Sequence, residues 1–276
     1  MSTREITFHK MHGLGNDYIY IDLDAYPIHD LPSFARQYSD RRKGIGGDGV
    51  ITYQREGTKD FRMRVFNMDG SEALMCGNAI RCVAKLLYES GRLEEGTSTL
   101  VIHTLSGAKV LELTTEGKRM ISAKVDMNPP HILDSHHTIT LSQKELTGCE
   151  VNVGNPHFVR FINSDVQEYP LDTEGPEVEH HEAFHDGINY EIANILTPQQ
   201  VRMRVWERGS GLTQACGTGA TAVAVAGIAQ GCLKSPVTIQ MPGGDLVIEW
   251  SGKESDSAFM IGGATLVYRG VVTIEE

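Results

Sequence analysis

Apolar and polar residues alternate along Arg62–Asn67 (RMRVFN) and again along Arg202–Glu207 (RMRVWE), the period of a strand with one face buried. Shorter runs at 99–107, 109–115, 236–244 and 246–250 read as further strands with turns between them. Two segments break this alternation. Residues 79–91 (AIRCVAKLLYESG) and 219–231 (GATAVAVAGIAQG) read as helices that are apolar over most of their circumference, so each is expected to sit surrounded by its own sheet. Each closes on a glycine, Gly91 or Gly231, where a helix C-terminus turns left-handed.

These elements occur twice. Residues 62–84 align on 202–224 without a gap, at a constant spacing of 140 positions (216 − 76). Arg62-Met63-Arg64-Val65 falls on Arg202-Met203-Arg204-Val205, Cys76-Gly77 on Cys216-Gly217, and Val83-Ala84 on Val223-Ala224. GNDYI (15–19) matches GNPHF (154–158), and SGAKVLEL (106–113) resembles GGDLVIEW (243–250), in the same order. The sequence therefore predicts an α/β (α+β) chain of two pseudo-symmetric domains, related by an approximate two-fold axis. Each is a mostly antiparallel sheet or barrel wrapped around a central helix. In this reading residues 1–120, completed by a C-terminal strand at 267–276, form the first half and 121–266 the second, with the crossing near Pro129-Pro130.

Composition narrows the partners. The 276 residues are 40% hydrophobic and 22% charged, as in ordinary globular proteins, and the formal net charge is −11. That balance argues against nucleic acid or an anionic membrane as the main partner, because phosphate binding needs clustered Lys and Arg. Apolar runs fall short of the roughly 18 residues that span a bilayer, and MSTREITFHKMHG lacks the apolar stretch of a signal peptide. A cytoplasmic protein with reduced cysteines is expected. The five cysteines, at 76, 82, 149, 216 and 232, match no zinc spacing, and no metal is expected.

Cys76 and Cys216 stand at the start of the two repeated helices. A helix N-terminus offers unpaired N–H groups and a partial positive charge, which lower a thiol pKa from about 8.5 and also bind carboxylates. Two such thiols, one from each half and facing a common cleft, suit the inversion of a carbon acid. One takes the proton from one face, the other delivers a proton to the opposite face, and the planar carbanion is stabilised by the helix N–H groups. No cofactor is required. Cys82 matches Ala222 inside the second helix and is read as core, as are the unmatched Cys149 and Cys232 as structural residues.

At KMHGLGNDYI, FNMDGSEALMCGNAIRC, GNPH and WERGSGLTQACGTGATA the chain resembles the diaminopimelate epimerases, in the family's order and over nearly its whole length. The resemblance implies cofactor-independent interconversion of LL- and meso-diaminopimelate, in lysine and peptidoglycan precursor synthesis, by a homodimer. It implies Cys76 and Cys216 as the acid/base pair, with His157 and Glu207 flanking them. The proximal carboxylate falls to Gly77, Asn78, Gly217 and Thr218, the distal end to Asn67, Asn155, Asn189 and Arg208, with Glu207 and Asn16 also lining the site. A bidentate carboxylate clamp suits Arg208 on its own chemistry. Where some members carry a substrate-contacting Gln, this chain has Gly49, so that contact is lost or passes to water or backbone. Two rivals stand beside this reading. A proline racemase-like enzyme would share the paired cysteines, although that family usually has His where Asn78 stands. A thiol redox switch would need only a Cys76–Cys216 disulfide, which is expected to form reversibly on oxidation.

Other patterns are read as incidental. GIGGDG (44–49) fits a dinucleotide fingerprint, but a helix-like segment (31–43) precedes it and a strand (50–54) follows, the reverse of the required order. HEAFH (181–185) fits a zinc-protease motif, yet Gly175-Pro176 and Asp186-Gly187 leave room only for a solvated helix end. His136-His137 and Arg41-Arg42-Lys43 are read as solvated surface, and Trp206 and Trp250 as core.

Overall fold

A computed structural model describes residues 3–142 and 144–275, so Glu276 of the expected closing strand lies outside the described residues. The chain divides into two compact units, Met1–Val125 with Gly262–Glu276, and Asp126–Ile261. The crossings fall a few residues from 120 and 266, because the last strand of the first unit's meander runs on to Asp126.

The first unit contains β1 (Thr3–Gly13), β2 (Asn16–Asp22), α1 (Leu31–Tyr38), β3 (Gly49–Glu56), β4 (Asp60–Asn67), β5 (Glu72–Ala73), α2 (Gly77–Glu89), β6 (Thr99–Thr104), β7 (Gly107–Glu116), β8 (Arg119–Asp126) and the late strand β18 (Thr265–Glu275). Its sheet runs β18-β1-β2-β3-β4-β6-β7-β8. Every step is antiparallel except β2–β3 and β4–β6. The second unit contains β9 (His131–Thr140), β10 (Glu145–Asn152), β11 (Pro156–Phe161), α3 (Leu171–Glu179), β12 (Asn189–Thr197), β13 (Gln200–Glu207), β14 (Gly211–Leu212), α4 (Gly217–Ala229), β15 (Val237–Met241), β16 (Gly244–Glu249) and β17 (Phe259–Gly262). Its sheet repeats the pattern as β9-β10-β11-β12-β13-β15-β16-β17, with β11–β12 and β13–β15 parallel. Each unit is thus a mixed, mostly antiparallel α+β sheet.

Each sheet packs a peripheral helix as well as its central one. On one face of the first sheet α1 brings Leu31, Phe34 and Ala35 against Ile6, Ile19, Ile21, Val50 and Phe66. In the second unit α3 brings Leu171 and Val178 against Phe158, Tyr190 and Ile192. The sequence gives little sign of α3, because Gly175-Pro176 reads as a breaker; burial of its apolar face overrides that. Gly175 is required there, since a Cβ would lie 2.5 Å from the Trp206 ring. Trp206 is accordingly only partly buried and donates from Nε1 to Glu179 Oε2 at 2.7 Å, whereas Trp250 is core.

α2 and α4 are the central helices. α4 packs on β10, β11, β12, β15 and β16 and is buried over most of its length. Both helices begin at Gly77 and Gly217, directly after Cys76 and Cys216 and two residues before the apolar runs at 79 and 219. They end in matched turns: Gly91 and Gly231 adopt φ +74°, and Arg92 and Cys232 donate to the carbonyls of Leu87 and Gly227. α2 is less apolar than it reads, because Arg81 lies fully buried within it. Among the described residues no helix is long and apolar enough to cross a membrane.

Several surface readings are corrected by these contacts. Arg41-Arg42-Lys43 is exposed, as read, but lies in a turn in which Arg41 also bridges Asp17 and Asp48. His137 is half-buried, bonded to Glu150 at 2.8 Å with its ring against Phe158 and Phe184. HEAFH forms turns rather than a helix end. Phe184 points into the core, His181 meets Thr140 O and His185 meets Asp186.

Candidate active site

Strand direction gathers the candidate residues within each unit. β2 and β3 run parallel and begin at one edge, and β4 runs antiparallel and finishes there. Tyr18 therefore pairs with Gly49, and Gly49 with Asn67. In the second unit His157 pairs with Asn189, and Tyr190 with Trp206, which brings Asn155, Asn189 and Glu207 to the corresponding edge.

The central helices start at these edges. Cys76 and Cys216 are their N-cap residues, with backbone angles of φ −136°, ψ 114° and φ −124°, ψ 114°. The first intrahelical bonds run from Ile80 to Cys76 O and from Ala220 to Cys216 O. The N–H groups of Gly77, Asn78, Gly217 and Thr218 precede that ladder and form the positive end of each helix. One turn on, Arg81 Nη1 donates to Gly77 O at 3.0 Å and Thr221 Oγ1 to Gly217 O at 2.9 Å. Two different side chains do the same work at matching positions.

The surroundings of the two thiols differ. Cys76 is partly exposed, and its Sγ donates to Asn16 Oδ1 at 3.3 Å. Asn16 Nδ2 donates in turn to Asp48 Oδ2 at 2.8 Å, which fixes the amide oxygen toward the sulfur. Arg41 holds Asp48 at 2.8 Å and Asp17 at 2.6 Å, and Lys10 pairs with Asp17. Burial would raise the Asp17 carboxyl, but hydrogen bonds from Arg41 and Lys10 outweigh it and hold it below its ordinary value. Asn67 bonds Ser71 Oγ at 3.0 Å at the end of β4. Gly49 has no room for a side chain, since a Cβ would lie 2.0 Å from Phe66 O. Close backbone approach explains the glycine at this position.

Cys216 is 5% exposed. Gly219 N–H donates to its sulfur at 3.4 Å, and Thr218 Oγ1 lies at the same distance. The expected lowering of a thiol pKa at a helix start does not hold here. Burial pushes the Cys216 thiol up, the Glu207 and Glu191 carboxylates push it further, and the Thr218 and Gly219 donors are outweighed. Glu207 is itself raised by burial, against the pull of a 2.5 Å bond from Thr213 Oγ1, with Glu191 adding to the rise. His157, fully buried, bonds Glu191 Oε1 at 2.6 Å through Nδ1 and Asn155 Oδ1 at 3.0 Å through Nε2. Asn155 Nδ2 reaches Thr218 Oγ1 at 3.3 Å. Asn189 Oδ1 accepts from Arg208 N–H at 3.0 Å, and the exposed Arg208 guanidinium donates to Asp186 O at 3.1 Å.

Cys82 is the contrast. It is fully buried in α2, and burial pushes its thiol up to about 11. Among the described residues no cluster of three or more His, Cys, Asp or Glu is placed to hold a metal ion.

The sequence model for diaminopimelate epimerase matches residues 8–133 and 149–267. The chain belongs to the diaminopimelate epimerase family. It is 45% identical to the diaminopimelate epimerase of Methanococcus maripaludis strain C6, over 97% of this chain and 99% of that protein. It is 43% identical to that of Parabacteroides distasonis, over 99% and 100%. Among solved structures, a hydroxyproline epimerase from Agrobacterium vitis shares the fold, with a TM-score of 0.73 at 14% identity over 99% of this chain and 92% of that one. The protein is therefore an epimerase of the isomerase class.

Asp48 and Glu191 are absent from the sequence reading. Asp48 sits inside GIGGDG, dismissed there as a failed nucleotide motif. Glu191 leaves a legible trace, a lone carboxylate in the apolar run of β12.

Proposed function

We propose that the protein epimerises LL-2,6-diaminopimelate to meso-diaminopimelate without a cofactor, using Cys76 and Cys216 as the two proton-transfer groups. The observation that carries this is the pair of thiols at the N-caps of two topologically equivalent helices, in a chain of this family. In each turnover one thiolate takes the α-proton, so that a C–H bond breaks and an S–H bond forms. The other thiol gives its proton to the opposite face; the roles exchange with the direction of the reaction, and the two thiols return to their starting protonation by exchange with solvent before the next turnover in the same direction. Helix N–H groups at Gly77, Asn78, Gly217 and Thr218 receive the proximal carboxylate and the charge that develops on it. Asn16, Asn67, Asn155, Asn189 and Arg208 hold the rest of the substrate.

The two thiols stand in different surroundings: Cys216 is buried beside Glu207 and Glu191, whereas the partly exposed Cys76 donates to Asn16 Oδ1. Glu207 and His157 take part in proton movement around Cys216. A homodimer in the cytoplasm, serving lysine and peptidoglycan precursor synthesis, belongs to the same proposal. The apolar side chains exposed on β18, Val267, Tyr268 and Val271, are consistent with such an interface.

Purified protein incubated with LL-diaminopimelate, without added cofactor, is expected to yield the meso isomer on chiral chromatography and to leave L-proline and trans-4-hydroxy-L-proline unchanged. Turnover of the proline compounds instead would support the racemase alternative, which shares this fold.

A further inference from the structure

Glu191 is a fully buried carboxylate for which the fold alone gives no reason. Its place in β12 corresponds to Ile51 in β3, because Val159 pairs with Glu191 as Tyr20 pairs with Ile51. His157 likewise corresponds to Tyr18. The first unit builds this layer from apolar and aromatic side chains, while the second buries a His–Glu pair, which carries a desolvation penalty. Glu191 Oε1 binds His157 Nδ1, while Oε2 has no hydrogen-bond partner among the described residues. Room for the carboxylate is made by Gly219 in α4, where a Cβ would stand 2.7 Å from Oε1.

We propose that Glu191 is a positioning residue for the reaction, fixing the His157 imidazole and, through Asn155 and Thr218, the polar edge of the α4 N-terminus beside Cys216. The inference rests on the reading of Cys216 and His157 as proton-transfer groups. The two ring nitrogens face Glu191 Oε1 and Asn155 Oδ1, and a proton on Nδ1 is held by the Glu191 carboxylate, which fixes the orientation of the ring. The carboxylate has a second effect at Cys216. The groups facing that sulfur are Glu207 from β13, Glu191 from β12, and Thr218 and Gly219 from α4, with His157 of β11 beyond Glu191. Glu191 is one of two negative charges opposing thiolate formation there.

The test uses the full-length enzyme with Glu191→Gln and Glu191→Ile, the latter copying the residue of the first unit. Two quantities are read: kcat and KM for diaminopimelate, and the pH dependence of iodoacetamide alkylation at Cys76 and Cys216, followed by peptide mass spectrometry. Both variants are expected to lower kcat roughly tenfold or more, with a smaller rise in KM because Asn155 and Thr218 also hold substrate. They are also expected to move the Cys216 alkylation midpoint down by roughly one pH unit while Cys76 stays put. A folded variant with wild-type kcat and an unmoved Cys216 profile would overturn the proposal and leave Glu191 as packing. The alkylation readout needs no substrate, so it still decides the matter if diaminopimelate proves the wrong substrate for the wild type.

Discussion

Glu207 shows how single residues in this site trade stability for chemistry. Its folded carboxyl titrates above its ordinary value of 4.5, first because of burial and then because of Glu191. The native state therefore keeps that proton longer than the unfolded chain does. The group's contribution to stability is complete below about pH 4.5 and is lost as the pH rises through the raised folded value. Glu207→Gln should accordingly melt higher than wild type at pH 8, by a larger margin than at pH 4.5, while epimerisation falls. Equal margins at the two pH values, read by calorimetry, would contradict this account of the carboxylate. The sequence identified Glu207 through its motif, but its electrostatic situation depends on Glu191, which lies 16 residues away on the neighbouring strand (207 − 191). No local pattern carries that information.

Among the elements, the two central helices were the most legible. Each is long, apolar and closed by glycine, so periodicity and capping agree about where it lies. Their starts are legible in the repeated Cys-Gly that precedes each apolar run, although Cys is not the usual Ser, Thr or Asp cap. α3 is not legible in the sequence, because packing against β12 and β13, a non-local effect, decides its stability. The helix ends give a clean test of local strain. Gly231 has φ +74° and nothing within 4 Å of a built Cβ, so Gly231→Ala introduces backbone strain without a clash. Stability should fall by about 1–2 kcal/mol in urea titration, with turnover unaltered. A neutral effect would mean that the Schellman turn does not hold this terminus.

At the scale of the whole molecule, the repeat was legible because its motifs keep one spacing, and the strand order of each unit repeats the other's. The discontinuity of the first unit is visible mainly in the ladder. β18 pairs with β1 from Thr3–Glu275 to His12–Thr265, so the first unit is complete only with the last residues of the chain. The second unit is continuous. A fragment of residues 126–261 is expected to melt cooperatively by itself, whereas 1–125 should do so only after a 262–276 peptide is added. Cooperative melting of 1–125 alone would show that β18 is dispensable to that core.

The most direct measurement is proton NMR of LL-diaminopimelate in D2O with reduced enzyme, run beside Cys76→Ser and Cys216→Ser. Removing either proton-transfer group should lower epimerisation by about 10²–10⁴-fold. In the wild type, the meso product should carry deuterium at the inverted carbon from the earliest time points. Epimerisation at the wild-type rate in either serine variant, or no exchange by the reduced wild type, would contradict the two-thiol account.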